Sequence, residues 1–171
     1  MSRPGGALGT ILLLDAAAFA LFAVVAPGFA SVANLQAVAL SALALVLLAS
    51  GQTLVLITGG IDLAAPAIVG LASVTGALVM GGEHGLLAGH ALAATAGVAA
   101  MLGAGAVAGA ANGAAVGLLR MPPNMATLTM ATFASGLAVW MARRGAGSET
   151  IYDLPRAVVA MGATHPATDS I

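Results

Sequence analysis

The sequence predicts an all-α protein, a polytopic bundle of about five membrane segments. Three observations carry that expectation: apolar runs about as long as a bilayer is thick, a scarcity of charge, and glycine and proline placed between the runs. Of 171 residues, 60% are apolar and 6% charged, and the mean hydropathy is +1.06. A soluble domain carries about 25% charged residues. So few charges cannot cover a water-facing surface, so most side chains must be solvated by lipid or by other helices.

A hydrocarbon core about 30 Å thick takes roughly 20 apolar residues per helix. Residues 7–26 form the first such run. It resembles the apolar part of a signal peptide, but Asp15 interrupts it and no small-x-small cleavage site follows, so it is read as a retained helix. Pro27-Gly28 ends it, and Ser31 and Asn34 mark a short surface turn. The second run, 35–57, stays apolar until Ser50-Gly51-Gln52-Thr53. The third, 61–80, is set off only by Thr58-Gly59-Gly60.

The fourth run, 86–119, is too long for one perpendicular span. It reads as a tilted helix or as a short interfacial piece followed by a span. Pro122-Pro123 stops it. The fifth is 124–142. Residues 145–171 read as a loop with room for one short helix.

Orientation has two solutions. Five full crossings from an inside N-terminus place Arg3 and Arg120 inside and Arg143, Arg144 and Arg156 outside. A re-entrant third segment brings Arg143 and Arg144 inside instead, which the positive-inside rule mildly favours.

Composition also excludes chemistry. A net charge of −1 offers no electrostatic case for nucleic acid. Without cysteine there are no disulfides or thiolate metal sites. All five basic residues are arginine, so neither the P-loop lysine nor a Schiff-base lysine is available. Nucleotide energy, if used, must be supplied by another chain. His84, His90 and His165 lack metal-ligand spacing, and no Ser-His-Asp set can be argued. No enzymatic activity, cofactor or metal is expected.

The most informative stretch is Gly51-Gln52-Thr53-Leu54-Val55-Leu56-Ile57-Thr58-Gly59-Gly60-Ile61-Asp62-Leu63. Each glycine weakens a helix by roughly 1 kcal/mol, and the pair lets the chain turn. An aspartate costs about 2.5–3.5 kcal/mol at membrane depth, so Asp62 should face protein or water. Asp62 can cap the third helix by accepting from the Ala64 or Ala65 N–H, with Pro66 in or beside the first turn. The same break can line a polar pathway, where irregular intramembrane backbone is tolerated.

A second feature is the ladder Gly105, Gly109, Gly113 and Gly117, preceded at the same spacing by Met101 and Gly97. A four-residue spacing places these on one helix face, open to close approach by a neighbour. Asn112 lies on an adjoining face, either bonding between helices or facing a pathway. Asp15, inside the first helix, either snorkels or pairs with another helix, and His90 reads as interfacial.

The segment GQTLVLITGGIDLAAPAIVGLASVTGALV resembles the signature of permease subunits of bacterial ribose-type sugar ABC importers, roughly G-x-T-x-V-I-x-T-G-G-I-D-L-S. Other landmarks follow in order: Pro27-Gly28-Phe29 with Asn34-Leu35; Gly109, Asn112 and Gly113; then Pro122-Pro123, Ala126-Thr127-Leu128 and Gly136-Leu137. The likeness spans about 7–155. It departs at Ala64, where the family usually has serine, and at Ser135, where arginine is frequent. Family members are also about twice as long, so the likeness is to their N-terminal half.

What the resemblance implies is a multi-pass permease component of a monosaccharide importer in the bacterial inner membrane. Its implied partners are an ABC ATPase subunit, a second permease subunit or a missing C-terminal half, and a periplasmic sugar-binding protein. Gln52, Thr53, Asp62, Asn112, Asn124 and Thr127 become candidates for the translocation pathway. A membrane fragment or helix-packing partner without independent activity is the rival expectation.

Overall fold

The computed structural model describes residues 4–81, 85–148 and 150–162, and among them every regular element is a helix. These are α1 (Pro4–Val25), α2 (Val32–Ile57), α3 (Ala65–Met80), α4 (Ala93–Gly117), α5 (Pro123–Ala146) and α6 (Arg156–Gly162). The chain divides into two compact units within α2, at Ala44 and Leu45. Four helices are long and apolar enough to cross a membrane: α1, α2, α4 and α5.

The expected bundle is therefore present, with one segment shorter than anticipated. The third run begins at Ala65 instead of residue 61, because 61–64 belong to the break. Sixteen residues of α3 reach about 24 Å, less than a bilayer core of about 30 Å. The over-long fourth run takes its two-part form: residues 86–89 make a turn, and α4 starts only at Ala93. The short helix anticipated beyond residue 145 is α6; residues 163–171 lie outside the described part.

In the N-terminal unit, α1 ends where Gly28 adopts a positive φ of 84°. Phe29 then folds back, with its ring 5.5 Å from Phe19 and 5.6 Å from Phe22. Ser31 caps α2, its Oγ accepting the Asn34 N–H at 3.3 Å. The Asn34 side chain donates to the Phe29 carbonyl at 2.6 Å. This is the Pro-Gly…Ser…Asn turn expected from the sequence. Asp15 falls near the middle of α1 and is exposed.

In the second unit, α3 packs against both α4 and α5. The α3–α5 seam is built on Leu71, Ala134 and Ala138, flanked by Ala67, Val74, Leu137 and Met141. Ala134, Ala138 and Ala142 are all buried, and their four-residue spacing gives α5 a smooth face along which a backbone can come close. The α3–α4 crossing is tighter still. A Cβ on Gly76 would run into the Met101 side chain and lie 2.9 Å from the Gly97 carbonyl oxygen, and one on Gly97 would meet Met80.

The expected ladder is engaged only at its N-terminal end, where Gly97 and Met101 meet α3. Gly105, Gly109, Gly113 and Gly117 have nothing within 4 Å of where a Cβ would stand. Periodicity predicts a smooth face but not which smooth face meets a neighbour. Here Gly97 and the α5 alanines make the contacts.

Candidate functional site

The sequence Thr58-Gly59-Gly60 closes α2 with a Schellman motif. The Gly60 N–H donates to the Val55 carbonyl at 3.1 Å and the Gly59 N–H to the Leu56 carbonyl at 3.0 Å. Gly59 takes the left-handed conformation this cap needs, with φ 78°. Gly60 is buried because its backbone is pressed between Val55 and Pro123: a Cβ would stand 3.3 Å from Val55 Cγ1 and 3.5 Å from Pro123 Cβ. Gly59 is favoured by its dihedral angle and Gly60 by the tight approach of Val55.

Beyond this cap the chain runs without regular structure to Ala64. Asp62 stabilises it locally, Oδ1 accepting the Ala64 N–H at 2.7 Å. The capping expectation is corrected in detail. The helix N-cap is Ala64, with no side-chain cap, so Asp62 makes an Asx-type turn ahead of the helix. Pro66 occupies the first turn, where its missing N–H costs little. It therefore belongs to α3 and not to the break, and it lines a separate shallow groove with Gly70, Val74 and Ser135.

One side-chain hydrogen bond from α2 and one close contact from α5 hold the irregular segment. Gln52 Nε2 donates to the Asp62 carbonyl at 2.7 Å. The Thr127 hydroxyl donates to the Pro123 carbonyl at 2.9 Å and makes a longer contact of 3.3 Å with the Ile61 carbonyl. The Asp62 carbonyl is thus satisfied from α2, and the Ile61 carbonyl lies beside the Thr127 hydroxyl of α5.

The break forms one wall of a cleft of about 320 Å³. Thr58, Gly60, Asp62, Asn112, Val116 and Thr127 are among its lining residues. Asn112 is 8% exposed and Thr127 3% exposed. Asn112 Oδ1 is buried with no hydrogen-bond partner, a state that costs about 1–3 kcal/mol.

Of the six residues expected to form a pathway, Asp62, Asn112 and Thr127 converge on this cleft, and Gln52 supports it through the Asp62 carbonyl. The other two do not line it. Thr53 is exposed, its hydroxyl donating to the Ala49 carbonyl at 2.7 Å, which spends its polarity within its own helix. Asn124 is exposed at the start of α5. Thr58 and Pro123 were not singled out as pathway residues, yet both line the cleft. The signal was present for Thr58, a hydroxyl immediately before the Gly-Gly stop. Gly113 and Gly117, expected to pack against a helix, line the cleft as well.

His90 stands at the exposed approach to α4, its Nδ1 accepting the Leu92 N–H at 3.4 Å. His84 and His165 lie outside the described residues. Among the described residues, no three His, Cys, Asp or Glu side chains gather where a metal could be held. Comparison with known protein families, with curated proteins and with solved structures finds no match.

Proposed function

We propose that this chain is a membrane-spanning permease component of an ATP-binding-cassette importer for a monosaccharide, acting in the bacterial inner membrane. The observation that carries the reading is the interrupted helix at Gly59-Gly60-Ile61-Asp62, which forms a wall of a largely apolar cleft that gathers four polar side chains, Thr58, Asp62, Asn112 and Thr127. Broken helices whose unwound backbone borders a cavity are a recurrent way for membrane transporters to hold a polar solute. The hydroxyls of Thr58 and Thr127 and the Asn112 amide suit a hydroxyl-rich, uncharged solute better than an apolar one. The resemblance of the TGGIDL segment to ribose-type permeases supports the same assignment.

In this reading ATP is hydrolysed on a separate ATPase subunit, a periplasmic binding protein delivers the sugar, and further membrane helices complete the pathway. The test is uptake of a panel of labelled pentoses and hexoses by host cells with and without the chain. Deletion should abolish ATP-dependent uptake of at least one sugar, and the wild-type chain should restore it. Unchanged uptake of every sugar would leave only a helix-packing partner without transport activity.

A further inference from the structure

We infer that Asp62 makes the cleft a charge filter, admitting neutral or cationic sugars and rejecting anionic ones. The inference rests on the reading of the cleft as a sugar pathway and adds a specificity determinant to it.

Among the residues lining the cleft, Asp62 alone carries charge. It makes no ion pair among the described residues, and its only hydrogen-bond donor there is the Ala64 N–H on Oδ1. The surrounding side chains add no positive charge, and the two threonine hydroxyls add acceptors. The Thr58 hydroxyl spends its proton on the Val55 carbonyl at 2.7 Å, and the Thr127 hydroxyl spends its proton on the Pro123 carbonyl. Each therefore offers lone pairs to the cleft. Gln52, whose amide could have compensated the carboxylate, is committed to the Asp62 main-chain carbonyl. Asn112 adds no charge: its Oδ1 is buried away from the cleft surface, and its amide Nδ2 is a hydrogen-bond donor.

A ligand meeting this wall must bring hydrogen-bond donors and must not bring negative charge. A hydroxyl-rich sugar satisfies both conditions. The same sugar carrying a carboxylate or phosphate satisfies the first and is repelled by the second. Apolar helix walls screen that repulsion poorly, and a charge left without a partner is an effective way to refuse a near-identical ligand.

The experiment is equilibrium binding to the full chain, purified with its partner subunits into lipid nanodiscs. The probes are three matched sets: glucose with glucuronate, ribose with ribose 5-phosphate, and glucose with protonated glucosamine. The neutral member of a pair should bind roughly 10- to 100-fold more tightly than its anionic counterpart, and glucosamine at least as tightly as glucose. Asp62→Asn retains an oxygen for the Ala64 N–H, and in it the ratio of neutral to anionic affinity should fall toward one. That ratio is the readout, whatever the absolute affinity.

Equal affinity for neutral and anionic members in the wild-type chain would overturn the charge filter while leaving a sugar pathway in place. So would weaker binding of glucosamine than of glucose, a measurement that needs no variant. Absence of binding by any sugar would overturn the pathway reading itself.

Discussion

The side chain of Gln52, well inside α2, donates to the main-chain carbonyl of Asp62 at 2.7 Å. A residue of one helix thereby holds the unwound entry to the next. The break is a folded structure with its own hydrogen bonds, not a slack connection. Replacing Gln52 by leucine should free the Asp62 carbonyl and cost about 1–3 kcal/mol. A lowered thermal midpoint in detergent, together with faster labelling of a cysteine placed at Ile61, is the expected outcome.

Gly59 and Gly60 disfavour a side chain for different reasons, Gly59 for its positive φ and Gly60 for the close approach of Val55 Cγ1. Gly60→Val should push α5 away from the break, destabilise the chain by roughly 1–3 kcal/mol and reduce sugar uptake. The same uptake assay and thermal unfolding check both effects.

Gly76 and Gly109 offer a matched contrast. Gly76→Ala places a methyl against Met101 and the Gly97 carbonyl, and a loss of roughly 1–3 kcal/mol is expected. Gly109→Ala meets nothing within 4 Å and should gain up to about 1 kcal/mol from helix propensity alone. Unfolding of the two variants side by side measures the difference. Destabilisation by Gly109→Ala would mean that another helix rests on the ladder.

Asn112 should show a trade between stability and function. Its buried, unpartnered oxygen is unfavourable, so Asn112→Leu should leave stability unchanged or raise it by about 1 kcal/mol. If the chain carries sugar as proposed, uptake should fall in the same variant. Thermal unfolding and uptake measured on one preparation would separate the two effects, and a loss of stability would show that the amide holds the helices together.

Local chemistry was legible in the sequence. The four long helices follow from long, predominantly apolar runs, because backbone polar groups in lipid must bond within their own segment. The Pro27-Gly28…Ser31…Asn34 turn and the Gly59-Gly60 stop follow from residues whose dihedral preferences and side-chain oxygens act over a few positions. The choice of packed face was not legible. Gly105, Gly109, Gly113 and Gly117 on α4 and Ala134, Ala138 and Ala142 on α5 are both small residues at helical spacing, and only the placement of α3 decided that the alanines are covered and the glycines are not. The convergence of Asp62, Asn112 and Thr127 on one cleft is of the same kind. Their separation along the chain is bridged by the packing of three helices, and spacing within a single helix carries no information about that packing.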